Sequence, residues 1–191
     1  MSYVRMPAVS GLFYTSEAKI LACEVESYLN DSSVESQLSD PKALIVPHAG
    51  YIYSGIVAAA AFNTIKSSFV SRVVLLGPSH KVPLKGIALS SAAYFRTPLG
   101  DVATDRTNVD SLLKLPYVEV NDQAHLHEHS LEVQIPFLQM VLGSFAVLPV
   151  VVGGVAPDDV ALFLDHVWGG DETLIVVSSD LSHYHRYHEA C

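Results

Sequence analysis

Apolar residues along this chain fall into two kinds of run. Short runs that are apolar throughout, such as "ALIV" from Ala43, "VVLL" from Val73, "AVLPVVV" from Ala146 and "LIVV" from Leu174, read as strands. Together with "IALS" they predict strands near 43–47, 73–77, 87–90, 146–152 and 173–178. Longer runs place apolar residues three and four apart and predict helices between the strands. "SEAKILACEVESYLN" sets Ile20, Leu21, Val25 and Leu29 on one stripe, and the alanines of "YSGIVAAAAFNTIKSS" favour helix and close packing. "EHSLEVQIPFLQMVLG" and "PDDVALFLDHVWG" follow the same period, with Pro136 required to shift or kink the first. Strands without polar alternation are those covered by helices on both faces. The alternation therefore predicts an α/β fold, a three-layer αβα sandwich around a mostly parallel central sheet.

In an open sheet of this kind, ligands bind beyond the carboxyl ends of the strands. Three of the runs carry a histidine to that rim: "VPHAGY" delivers His48, "GPSH" delivers His80, and "SSDLSH" delivers Asp180 and His183. A single strand-end histidine is ordinarily a capping or turn-bonding group. Three at equivalent positions suggest shared chemistry, because neutral imidazole ligates divalent metals and also moves protons near neutral pH. The glycines and prolines beside His48 and His80 allow close backbone approach to a bound group, and equally serve tight turns.

Other motifs are weaker. "HLHEHSLEVQ" carries His125, His127, Glu128, His129 and Glu132, but its acid directly follows the second histidine, which does not match the HxHxDH of binuclear zinc hydrolases. Placed at a helix N-terminus, Glu128 gains from the helix dipole, so capping and a pocket role stand equally open for it. "SSDLSH" lacks the GxSxG elbow of a serine hydrolase, and Asp180 with His183 suits a proton-handling pair, or a pair supporting metal ligands from behind, better. His185 and His188 read as solvated positions on a short helix. Tyr51 and Tyr53 beside His48 are open to either a pocket or plain packing. No GxGxxG or P-loop supports nucleotide binding.

Composition narrows the classes. The 191 residues suit one domain, 1–191, and 50% hydrophobic content with 16% charged residues implies that most of it packs. A net charge of -9 repels polyanions, which excludes nucleic acid as an expected partner. Two cysteines, Cys23 and Cys191, make no disulfide framework and point to a reducing, cytoplasmic compartment. The N-terminus lacks a signal-peptide core, and the most apolar stretch, "FAVLPVVVGGVA", is too short to span a bilayer, so no membrane association is expected.

"PAVSGLFY", "VPHAGYIYSG", "LLGPSHKVPLKGIALSS", "YFRTPLGD", "EHSLEVQIPFLQ", "LPVVVG" and "VSSDLSHY" stand here in an order that resembles the Memo family, over Pro7 to Tyr184. The resemblance implies a fold similar to class III, LigB-type extradiol dioxygenases, which hold non-haem iron. By motif it implies that His48 and His80 are metal ligands and that His183 is a catalytic acid/base, with Asp180 or Glu128 orienting it. Tyr51, Ser79 and His129 are then expected to line the pocket. The implied cofactor is a divalent metal, iron first, with copper or zinc as alternatives. Family members usually add a cysteine ligand from a later Cys-Gly segment. Cys191 falls too early to be it, so the expectation is a domain lacking the family's C-terminal segment. Two functions follow from the resemblance: a metal-dependent redox enzyme or metal-handling protein, or a non-catalytic module binding a small molecule or a (phospho)peptide in the same cleft. A functional link to AMMECR1-like and radical-SAM proteins is implied by association.

Overall fold

A computed structural model describes residues 2–32, 40–66, 69–183 and 185–190; Tyr184 and Cys191 lie outside the described residues. The chain runs β1 (Val4–Arg5), α1 (Ala18–Asp31), β2 (Ala43–Val46), α2 (Tyr51–Phe62), β3 (Arg72–Pro78), β4 (Ile87–Leu89), β5 (Tyr94–Thr97), β6 (Gly100–Thr104), α3 (Val109–Leu112), β7 (Val118–Val120), α4 (Asp122–Leu126), α5 (Ile135–Leu142), β8 (Ala146–Val152), α6 (Pro157–Val167), β9 (Thr173–Ser178) and α7 (Tyr187–Ala190). A 3₁₀ turn at Glu132–Gln134 leads into α5. The described strands form one sheet in the order β1-β5-β6-β8-β3-β9-β2, with β4 and β7 branching from β8.

The sheet is mostly parallel. Strands β2, β9, β3 and β8 pair parallel throughout, whereas β4 runs antiparallel to β8 and β5 antiparallel to β6. Strand β3 and β8 are buried along their centres, as expected of strands covered on both faces. One apolar core lies between the sheet and α1, α2 and α5, with Leu21, Phe62, Val73 and Phe137 at its centre. A second lies under α3 and α6, around Val74, Leu112, Leu148 and Phe163. These are the three layers read from the sequence.

All five predicted strands are present within a residue or two. The short β1, β5, β6 and β7 have too few residues to stand out as apolar runs, and they form because they add to existing sheet edges. Strand β2, apolar in sequence, alternates in burial and leaves Ile45 62% exposed, because it is an edge strand held only by β9. On α1, Leu21 and Val25 are buried while Ile20 turns outward, so the stripe is narrower than four residues. Pro136 neither kinks nor breaks a helix. It starts α5 in the first turn, where its missing N–H costs nothing. No helix among the described residues is long and apolar enough to cross a membrane.

Candidate metal centre

Three adjacent parallel strands end at one rim. His48 stands two residues beyond the end of β2, His80 two beyond β3 and Asp180 two beyond β9, and the neighbour order β3-β9-β2 brings the three loops together. A fourth element completes the site: the loop from α4 to the 3₁₀ turn carries Glu128 and His129 across the same rim. Its approach depends on Gly77 near the end of β3, where a Cβ would meet Ser130 Oγ at 2.7 Å and Leu131 Cδ2 at 2.9 Å. With that space free, Ser130 Oγ donates to Pro78 O at 3.0 Å.

His48, His80 and His129 are the result. Each offers a donor atom, and these atoms all lie within 4.8 Å of one another. The rings of His48 and His80 sit 5.1 Å apart, those of His80 and His129 stack at 4.7 Å, and those of His48 and His129 lie at 5.7 Å. His48 is buried, His129 half-buried, and His80 opens to solvent.

Carboxylates hold the ligand side chains. Glu128, 1% exposed, accepts the His80 backbone N–H at 2.6 Å and faces His80 Nδ1 at 2.9 Å. A carboxylate only accepts, so His80 Nδ1 carries the proton and its Nε2 is left as the bare donor. The same carboxylate accepts the N–H groups of His129 and Ser130, each at 2.9 Å. Burial pushes the Glu128 pKa up, but the His80 ring and backbone N–H and the Ser130 N–H pull it further down, to about 2. Asp180 accepts the His48 backbone N–H at 2.6 Å. Burial lowers the pKa of His48 and of His129, against the pull of nearby carboxylates, so both favour the neutral imidazole that a metal requires. His129 Nδ1 is buried and has no hydrogen-bond partner. That nitrogen lies 3.3 Å from Glu128 Oε1 without hydrogen-bonding it; a third imidazole beside two others fits a cation, and the donor set suits iron, copper or zinc.

The remaining sequence candidates stand outside the three-histidine cluster. Tyr51, 3% exposed, packs in the core on Phe137 and donates its hydroxyl to Val133 O at 2.7 Å. Ser79 Oγ closes its own loop by donating to Val82 O at 2.6 Å. His183 stands exposed on a turn whose Leu181 has φ 55°, and its Nδ1 donates to Leu181 O at 2.9 Å. Glu128 is not at a helix N-terminus, because its oxygens serve His80 and the loop amides. Sequence reasoning placed His129 in the pocket and missed it as a third donor. The signal was its position directly after Glu128, which the fold uses to hold His80.

A cavity of about 310 Å³ opens from His48, His129 and Asp180 between Phe13, Ile52 and Tyr53. Behind it, Arg5 ties the loop to the N-terminal strand. Its Nε donates to His125 O at 3.0 Å, and its guanidinium binds Glu128 O and the Glu132 carboxylate. Glu132 also accepts Ala8 N, Val9 N and the Tyr14 hydroxyl at 2.7, 3.0 and 2.6 Å.

A family model described as Memo-like protein matches residues 5–190. The chain belongs to the Memo family. It is 42% identical over 185 residues to a "MEMO1 family protein" of Aquifex aeolicus, covering 95% of this chain and 68% of that protein. A "MEMO1 family protein" of Thermotoga neapolitana is 37% identical over 196 residues, with 95% and 71% covered. The "Protein memo-1 homolog" of Caenorhabditis elegans is 34% identical over 188 residues, with 95% of this chain but 53% of the worm protein covered. The matched stretch of this Memo-family chain contains all three histidines and both carboxylates of the rim.

Proposed function

We propose that this protein binds a divalent metal ion, iron first with copper or zinc as alternatives, on His48, His80 and His129, and uses it as a dioxygenase-like redox enzyme or metal-handling protein. The convergence of three imidazole donors within 4.8 Å carries the reading. When bound, the metal would supply Lewis-acid activation of a ligand in the adjoining cavity. The chain's own groups do the rest. Glu128 fixes the His80 ring, Asp180 fixes the His48 backbone, and Phe13, Ile52 and Tyr53 flank the ligand. His183, whose Nδ1–H is held by Leu181 O, is the proton-handling group of this reading. The free, exposed Cys23 fits a reducing, cytoplasmic setting.

Anaerobic titration of the protein with iron(II) and cobalt(II), followed by electronic spectra and metal analysis, tests this. We expect one site, and loss of affinity of about a hundredfold or more in each of His48→Ala, His80→Ala and His129→Ala. Binding that survives all three substitutions, or that His185→Ala weakens as much, would overturn the assignment.

A second reading has one observation in its favour. Leu12, Ile52 and Tyr53 at the cavity are 81%, 82% and 79% exposed, a surface suited to seating a small-molecule or peptide ligand without turnover. His183→Ala separates the two: it reduces oxygen uptake by the iron-loaded enzyme, whereas a binding module shows no uptake to reduce.

A further inference from the structure

His48 differs from His80 in what stands behind its ring. Where Glu128 backs His80, a hydroxyl backs His48: its Nδ1 lies 3.0 Å from Ser178 Oγ, the last residue of β9 and 1% exposed. A hydroxyl can donate or accept, so the contact alone does not say which His48 nitrogen carries the proton. The other partners of Ser178 do. Ser178 Oγ lies 2.6 Å from Ser130 O, and a carbonyl can only accept, so the single hydroxyl proton is spent there. Gln134 Nε2 lies 2.9 Å from Ser178 Oγ and also 2.9 Å from Pro47 O. Because Pro47 O accepts, that nitrogen is the donating amide group, and it occupies one lone pair of the hydroxyl. One lone pair remains, and it can only take a proton from His48 Nδ1.

The alternative tautomer has no comparable support. With its proton on Nε2, His48 would face Asp180 Oδ2 at 3.8 Å, too long for a hydrogen bond. It would also set a lone pair against the filled Ser178 oxygen in a buried site.

We infer that Ser178, with its proton committed to Ser130 O and its oxygen primed by Gln134, is a positioning residue that holds His48 as the Nδ1–H tautomer and leaves Nε2 bare toward His80 and His129. The inference rests on the metal reading for its purpose but not for its geometry. It gives the site two backing devices of different chemistry, a carboxylate behind His80 and a saturated hydroxyl behind His48, that deliver the same nitrogen. Both devices also tie the 128–134 loop to the strand ends, through Glu128 in one case and through Ser130 and Gln134 in the other. The third donor, His129, sits on that same loop.

The test is to read the two tautomers directly. Long-range proton–nitrogen correlation spectra of the metal-free protein at about pH 8, above the ordinary histidine range, should show His48 and His80 both protonated at Nδ1. Ser178→Ala should move His48 toward the Nε2–H form and leave His80 unchanged, since Glu128 still holds it. The same variant should weaken cobalt(II) binding by about 10- to 100-fold, the usual cost of losing a partner behind a metal ligand. A general loosening of the rim would shift both histidines together. His48 carrying its proton on Nε2 in the parent, or an unchanged His48 tautomer in Ser178→Ala, would overturn the inference. A parent that shows the stated tautomers and the Ser178→Ala shift but binds no cation would defeat the metal reading and uphold the role of Ser178.

Discussion

Two segments of this chain are equally rich in histidine and have opposite fates. One holds His125, His127 and His129; the other holds His183, His185 and His188. In the first, His125 is buried and donates from Nε2 to Ala88 O at 3.0 Å, His129 joins the rim cluster, and only His127 faces solvent. In the second, all three are exposed, and the described hydrogen bonds include short-range ones, from His183 Nδ1 to Leu181 O and from Arg186 N to Glu189. Histidine density does not separate the two segments. Burial does, and in the first segment long-range anchors supply it: Arg5 and Glu132 clamp that segment to the N-terminal strand from more than a hundred residues away. What makes an imidazole a ligand is a framework that holds it dry, neutral and close to others.

Removing the clamp should break this contrast most strongly. Arg5 and Glu132 are both about 1% exposed, so Arg5→Ala strands a buried carboxylate and should cost about 3–5 kcal/mol in urea unfolding. Arg186→Ala in the second segment should stay within about 0.5 kcal/mol. Comparable losses in the two variants would show that the clamp is not what distinguishes the segments.

The next effect is one of pH. Burial is the main force that lowers the His125 pKa from 6.5 to about 4, so the folded protein resists a proton that the unfolded chain takes up. The stability His125 contributes is therefore fully present above pH 6.5 and drains away as the pH falls toward 4, by about 3 kcal/mol. His125→Leu should flatten the fall in stability over that window relative to the parent. A parent and His125→Leu variant of equal slope would contradict the account.

A smaller and more local effect should follow from Gly77→Ala. The added methyl meets Ser130 and Leu131 at 2.7–3.0 Å, so the loop must retreat from β3, at a cost of about 1–3 kcal/mol. Because His129 rides on that loop, cobalt(II) affinity should fall along with stability. A destabilised variant with parental affinity would mean that His129 is not a ligand. Smallest of all, His185→Ala should change neither stability beyond about 0.5 kcal/mol nor metal content, as for any exposed side chain outside the framework.

Much of this was legible in the sequence, and the reason is local. Strands β3, β8 and β9 announce themselves because strands covered on both faces must be apolar throughout, β2 because its run is apolar although it lies at the edge, and α2 and α6 because helical spacing is a property of neighbouring residues. The positions of His48, His80 and Asp180 followed, since parallel strands deliver their carboxyl ends to one side. The sequence by itself thus determined the layers, the rim and the candidate chemistry on it. Only the tertiary structure decided what rests on contacts between distant residues: that Ile45 faces out on an edge strand, that Tyr51 goes to the core, that Glu128, open to capping or a pocket role, holds His80, and that His129 stands with His48 and His80. Those outcomes depend on which strand neighbours which and on a few partly buried polar bonds spanning 48 to 132 residues, such as Glu128 to His80 and Asp180 to His48. Such bonds gain their strength from burial, and burial is set by the whole fold rather than by any stretch of the chain.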